Sequence, residues 1–140
     1  MVEYAVAAGL AVGAALVVVN LVNSDVALCR RTFAGLVKGD PAVRNAIAWD
    51  RFQAEEIDVG ASYATLTDPR AQRSYQQTFI KAFSAGFAHE GGALGAFTRW
   101  RVEPDGAVAV DYPAKQKTLL FRLSSEAGRR QVVGLGWKQP

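Results

Sequence analysis

The sequence predicts an α+β chain. An N-terminal transmembrane helix over residues 1–24 precedes a domain over 25–140, in which helices pack on one face of a four-stranded antiparallel meander. Three observations carry this reading. Between Glu3 and Asp25 lie 21 residues without a charge. From Asp25 to Gly92, apolar residues recur at spacings of three and four between capping residues. After Gly92 the apolar period falls to two, with turn residues separating short runs. Helices first and sheet last is the α+β order.

Composition narrows the class. The chain has 140 residues, half of them apolar, and a net charge of +3, which suits one core and excludes a disordered chain. One Cys and one His exclude a disulfide scaffold and a Cys/His zinc site, so neither metal nor cofactor is expected.

The uncharged run spans roughly 30 Å at ~1.5 Å per residue, the thickness of a bilayer core. No Lys or Arg precedes it and no small-x-small cleavage site follows, so it reads as a retained anchor rather than a signal peptide. Gly9 and Gly13 form a GxxxG, and Ala5 extends the stripe one turn earlier. Small residues at this spacing let helix backbones approach closely, so the expected partners are other membrane-protein subunits. Arg30, Arg31 and Lys38 follow the run, and the positive-inside rule puts the 25–140 domain in the cytoplasm. A lone reduced Cys29 suits that side.

Beyond the anchor, Val26, Cys29, Phe33 and Leu36 keep one helical stripe apolar until Gly39-Asp40-Pro41 stops it. A second helix is expected from Pro41 towards Glu56, with Val43, Ile47 and Phe52 inward. Residues 57–66 stay ambiguous because Gly60 interrupts them. Thr67-Asp68-Pro69 starts another helix, whose Tyr75, Phe79, Phe83 and Phe87 form an aromatic core stripe ending at Gly91-Gly92. Strands are expected over 96–103, 107–112, 117–123 and 130–137. Val108, Val110, Leu119, Phe121, Val133 and Leu135 are their candidate core positions.

The order of helix, Gly-Asp break, helices and antiparallel meander resembles the cystatin-like, nuclear-transport-factor-2-like superfamily of cone-shaped domains. The run from Phe33 to Asp40 is similar to the helix-then-Gly-Asp step of that superfamily. The resemblance implies a cone that serves as a non-catalytic membrane-anchored domain, a ligand binder, an isomerase or a cyclase. Fuller members have five or six strands, so four strands argue against a deep pocket. Separately, Glu3-Tyr4 before a small-residue apolar helix resembles the start of mature Flp-type pilins, which implies a filament subunit.

Three groupings could carry chemistry. Asp50, Glu55, Glu56 and Asp58 form an acidic cluster, which reads as a solvated helix face. His89 sits at a helix end, where its charge suits the dipole. Arg99, Arg101, Arg122, Arg129 and Arg130 concentrate positive charge on the sheet half, with Trp100 and Trp137 near in sequence. Basic residues with aromatics can bind single-stranded nucleic acid. Beside a membrane, anionic lipid headgroups or an acidic partner fit better, and no nucleic acid is expected. The leading expectation is therefore a non-catalytic, single-pass accessory subunit of a membrane complex. A pilin-like subunit is one alternative. The other is a ligand binder or isomerase using the cone mouth, with Asp50, Tyr63 or His89 converging on an apolar pocket.

Overall fold

A computed structural model describes residues 24–124 and 129–139. Helix α1 is described over residues 24–38. Its stripe of Cys29, Phe33 and Leu36 is fully buried, and Thr32 joins it by donating to the Leu28 carbonyl at 2.7 Å. Gly39 ends the helix in the left-handed region at φ +70°, and the Asp40 N–H returns to the Gly35 carbonyl.

The expected single-pass membrane architecture is corrected here. Among the described residues no helix is long and apolar enough to cross a membrane. Helix α1 carries Asp25, Arg30, Arg31 and Lys38, and its apolar stripe is spent on the protein's own core. The expected anchor, with Ala5, Gly9 and Gly13, lies outside the described residues apart from Ser24.

The expected second helix is also corrected. Asp40 caps a 3₁₀ turn over Pro41–Ala46, and a second turn covers Trp49–Arg51. Ile47, Ala48 and Trp49 are all buried, and three consecutive buried residues cannot share one helical face. Instead Ile47 bridges to Val132, and the Ala48 N–H donates to the Val132 carbonyl at 3.0 Å. Strands β1 (Gln53–Ala54) and β2 (Ile57–Asp58) then form a tight hairpin. Asp58 caps the short helix α2 (Val59–Ala64) by accepting from the Ala61 N–H. Gly60 is required here, because a Cβ would stand 2.6 Å from the Asp50 carbonyl oxygen.

Helix α3 (Pro69–His89) starts where Asp68 accepts from the Arg70 N–H and Pro69 occupies the first turn. It ends at Glu90, followed by Gly91 at φ +72°. Four longer strands follow: β3 (Thr98–Val102), β4 (Val108–Tyr112), β5 (Lys117–Leu123) and β6 (Val132–Trp137).

The sheet is six-stranded and mixed, in the order β2-β1-β6-β5-β4-β3, which overturns the four-stranded antiparallel meander. β1 runs parallel to β6, and the other neighbours are antiparallel. Val108 opposes Phe121, Val110 opposes Leu119, and Phe121 opposes Leu135, all buried on the face towards the helices. Val133 departs from its expected core position. A bulge opposite Arg122 and Leu123 shifts the alternation, so Val132 is buried and Val133 only half-buried. Phe33 forms the centre of the core, with its ring 4.8–6.4 Å from those of Phe83, Phe87, Phe97, Trp100 and Phe121.

Candidate functional site

A cleft of about 460 Å³ opens between α3 and the sheet. Such a volume lies within the ~300–1,000 Å³ usual for small-molecule sites. Its helix wall carries Phe79, Phe83 and Phe87, three rings spaced one turn apart. They are half-buried, whereas Ile80 on the same helix is fully buried. The stripe packs one side against the core, Phe83 and Phe87 on Phe33 and Phe79 on Trp49 and Phe52, and leaves the other side on the cleft. Gly92 fixes the Phe87 ring, since a Cβ there would come within 2.8 Å of it.

The sheet wall is a row of rings along one end of the strands. Tyr112 stacks on Phe97 at 4.4 Å and 8°, and on Trp137 at 6.2 Å and 16°. Leu119, Leu135 and Phe33 continue the apolar lining. Lys117 places its Nζ 5.3 Å from the centroid of the Trp137 ring.

The remaining lip is the β1–β2 hairpin, and Glu55 holds it. Glu55 adopts φ +55° in the tight turn, where its N–H donates to the Leu135 carbonyl at 2.8 Å. Its Oε1 accepts from the Trp137 N–H, also at 2.8 Å, so the side chain continues the ladder that β1 begins with β6. This clamp presents Ile57, 62 % exposed, at the cleft. Ile57 is the large hydrophobic residue left exposed among the described residues.

The lining carries no Ser, Thr, Cys, His or Asp, and its titratable groups are Glu55, Glu90, Tyr112 and Lys115. Among the described residues no buried side-chain nitrogen or oxygen lacks a hydrogen-bond partner. The cleft is thus equipped to hold apolar matter, without a nucleophile–base pair in its walls.

The residues expected to converge on such a pocket do not. Asp50 is exposed, 3.8 Å from Arg51. The Tyr63 hydroxyl accepts from Gln76 Nε2 at 3.1 Å, and His89 is exposed beyond the cleft. Glu56 and Asp58 of the acidic cluster are exposed on the hairpin, not on a helix face.

The arginines separate into three groups. Arg101 donates to Asp111 Oδ1 at 3.0 Å and lies 3.5 Å from Glu103, which also meets Lys138 at 3.9 Å. Arg99, in a bulge at φ +62°, is 3.7 Å from Asp111. Burial opposes the Asp111 charge. Hydrogen bonds from Arg101 and Thr118 and the charges of Arg101 and Arg99 outweigh it and hold the carboxyl below its ordinary range. Arg122 pairs with Asp105 at 3.3 Å, where the Ala107 N–H and then Arg122 lower the Asp105 carboxyl. Arg130 makes a two-pronged pair with Asp25 at 2.7 and 3.2 Å, tying α1 to the approach to β6, while Arg129 is exposed. Trp100 packs on Phe33 and Phe121 with the Arg30 guanidinium 5.9 Å from its ring centroid, and Trp137 lines the cleft.

A second cavity, about 370 Å³ and more polar, lies between α1 and the first 3₁₀ turn, beside Arg31, Asp40 and Arg130. Cys29, buried beneath α1, has its thiol pushed up to about 12, first by burial and then by Asp25, against the pull of Arg130. A thiol so raised is not a nucleophile near neutrality. No family model, curated protein or solved structure matches this chain.

Proposed function

We propose that this protein binds a small, uncharged apolar molecule in the cleft between α3 and the sheet. The observation that carries the reading is the state of Phe79, Phe83 and Phe87. Each packs one side against the core and leaves the other on an apolar cleft of about 460 Å³, which Tyr112 and Trp137 border from the sheet. Burying apolar surface is worth ~25 cal/mol per Å², so the ring surface left on the cleft is energy that a ligand can collect. The exposed Ile57 beside the same cleft supports the reading. The accessory-subunit expectation, of docking through the helix over residues 1–24 and the domain over 25–140, draws no support from the cleft.

The test is a fluorescence titration of the full chain with N-phenyl-1-naphthylamine, a neutral aromatic probe. The expected result is saturable one-site binding and a melting temperature that rises with probe concentration. Ala82→Glu, which adds a carboxylate to the helix wall, should weaken binding by about tenfold or more. Binding that does not saturate, or that Ala82→Glu leaves unchanged, overturns the reading.

A further inference from the structure

The sheet wall of the cleft is built from rings, and two of those rings carry a polar atom. Among the described residues, the Trp49 indole donates to the Arg44 carbonyl at 2.9 Å and the Tyr63 hydroxyl accepts from Gln76. The polar side-chain atoms of Tyr75, Trp100, Tyr112 and Trp137 meet no partner in the protein. Of these four residues, Tyr112 and Trp137 line the cleft.

Strand register sets the direction of both side chains. Tyr112 follows Val108 and Val110 at steps of two along β4, which puts it on the face towards the helices. Trp137 opposes Leu119, and Leu119 opposes Val110 on that same face. Stacking against Phe97 at 4.4 Å and Trp137 at 6.2 Å then holds the Tyr112 ring. Tyr112 is half-buried, yet no buried side-chain oxygen among the described residues lacks a partner. Its hydroxyl therefore opens to space rather than to protein. A free hydroxyl on a fixed ring in an apolar wall is a preset hydrogen-bonding group.

The neighbouring groups give the sense of the bond. The Tyr112 hydroxyl and the Trp137 indole can both donate. Glu55, the acceptor on the adjoining lip, already spends Oε1 on the Trp137 backbone N–H. The complement of this end of the cleft is an oxygen that accepts.

We propose that the Tyr112 hydroxyl is the polar contact of the cleft, and that the ligand class is an uncharged apolar carbonyl compound rather than a plain hydrocarbon. This inference rests on the ligand-binding reading above and sharpens it.

The experiment measures displacement of N-phenyl-1-naphthylamine from the full chain and from its Tyr112→Phe variant. Three competitors are compared: 2-acetylnaphthalene, a neutral ketone; 2-isopropenylnaphthalene, in which a methylene replaces the ketone oxygen; and 2-naphthoate, a carboxylate. The parent should bind the ketone at least as tightly as the hydrocarbon, and more tightly than the carboxylate. In Tyr112→Phe the preference for ketone over hydrocarbon should fall by about fivefold, the usual worth of one neutral hydrogen bond. The variant keeps the ring and its stacking, so its melting temperature without ligand should stay within about 4 °C of the parent's.

An unchanged preference in Tyr112→Phe overturns the role of the hydroxyl while leaving the ligand reading intact. So does a melting temperature lower by more than about 4 °C, which would place the partner of the hydroxyl inside the protein. Tighter binding of the hydrocarbon than of the ketone by the parent overturns the carbonyl class. Tighter binding of naphthoate than of the ketone overturns the uncharged class that both readings share. Failure of the parent to bind N-phenyl-1-naphthylamine or any competitor defeats the ligand-binding reading itself and is thereby distinguished from the rest.

Discussion

Helices α1 and α3 both turn an apolar stripe towards the same face of the sheet, and they use it differently. On α1 the stripe is consumed: Cys29, Phe33 and Leu36 are buried, and Phe33 alone meets five other rings. On α3 only Ile80 is fully buried, and the phenylalanines stand half-open along the cleft. The same residue type at the same helical spacing is fully enclosed in one place and borders a cleft in the other. Periodicity reports which face turns inward, and the packing partner decides what that face does.

Substitution of the two kinds of phenylalanine is the sharpest way to break this contrast. Phe33→Ala should cost ~3–5 kcal/mol in chemical denaturation, the range for removing a fully enclosed ring. Phe83→Ala should cost about 1–2 kcal/mol, because part of its surface already borders open space. Equal losses at the two positions would show that α3 is ordinary core and that the cleft is closed in solution.

The hairpin lip gives a smaller effect. Glu55→Ala removes the acceptor for the Trp137 N–H and should cost ~1 kcal/mol. Hydrogen exchange should accelerate at Trp137 and around the hairpin while the amides of β4 and β5 hold. Uniform acceleration across the sheet would mean that the clamp supports the whole fold rather than the lip.

The smallest effect belongs to the far side of the contrast, away from the cleft. Asp111 has a depressed carboxyl pKa in the folded state, so its charge contributes stability above the ordinary carboxylate range, near ~3.9. That contribution is lost as pH falls through the lower folded value. Asp111→Asn should therefore flatten the decline in stability below about pH 4 and leave probe binding unchanged. A steeper acid decline in the variant would contradict the charge balance described for Arg99, Arg101 and Thr118.

The sequence made the long elements legible for simple reasons. Asp68-Pro69 and Gly91 bracket α3, and alternation at Val108, Val110, Leu119 and Phe121 marks the inner face of β4 and β5. The hairpin was hidden because its strands are two residues long and its turn is Glu55-Glu56, without the Asn or Gly that a left-handed position favours. Its conformation is imposed from outside, by Leu135 and Trp137. With the hairpin went the parallel pairing, the six-stranded sheet and the site's second lip. Of the cleft residues, the α3 phenylalanines were visible as a core stripe, and they do pack on the core; that they also border a cleft had no signal. Tyr112 and Trp137 carried no signal beyond their places at strand ends. The arginines were easy to see as a group. Their acidic partners are distant in sequence, Asp25 from Arg130 by 105 positions, and no local pattern reports that.

The placement of β6 has a consequence for how the molecule assembles. It follows the other five strands along the chain, yet lies between β1 and β5 in the sheet. Until it arrives, the hairpin has no neighbour and the sheet is two unconnected pieces. Joining β1 to β6 closes a loop of about eighty residues, and non-local closure of this kind slows folding. β6 also brings Leu135 and Trp137 to the cleft, together with the anchor point for Glu55. The step that unites the sheet is thus the step that completes the pocket, and a chain still waiting for it has nowhere to hold a ligand. A compound that fits the cleft would then act as a folding aid, favouring the finished molecule over every intermediate before it.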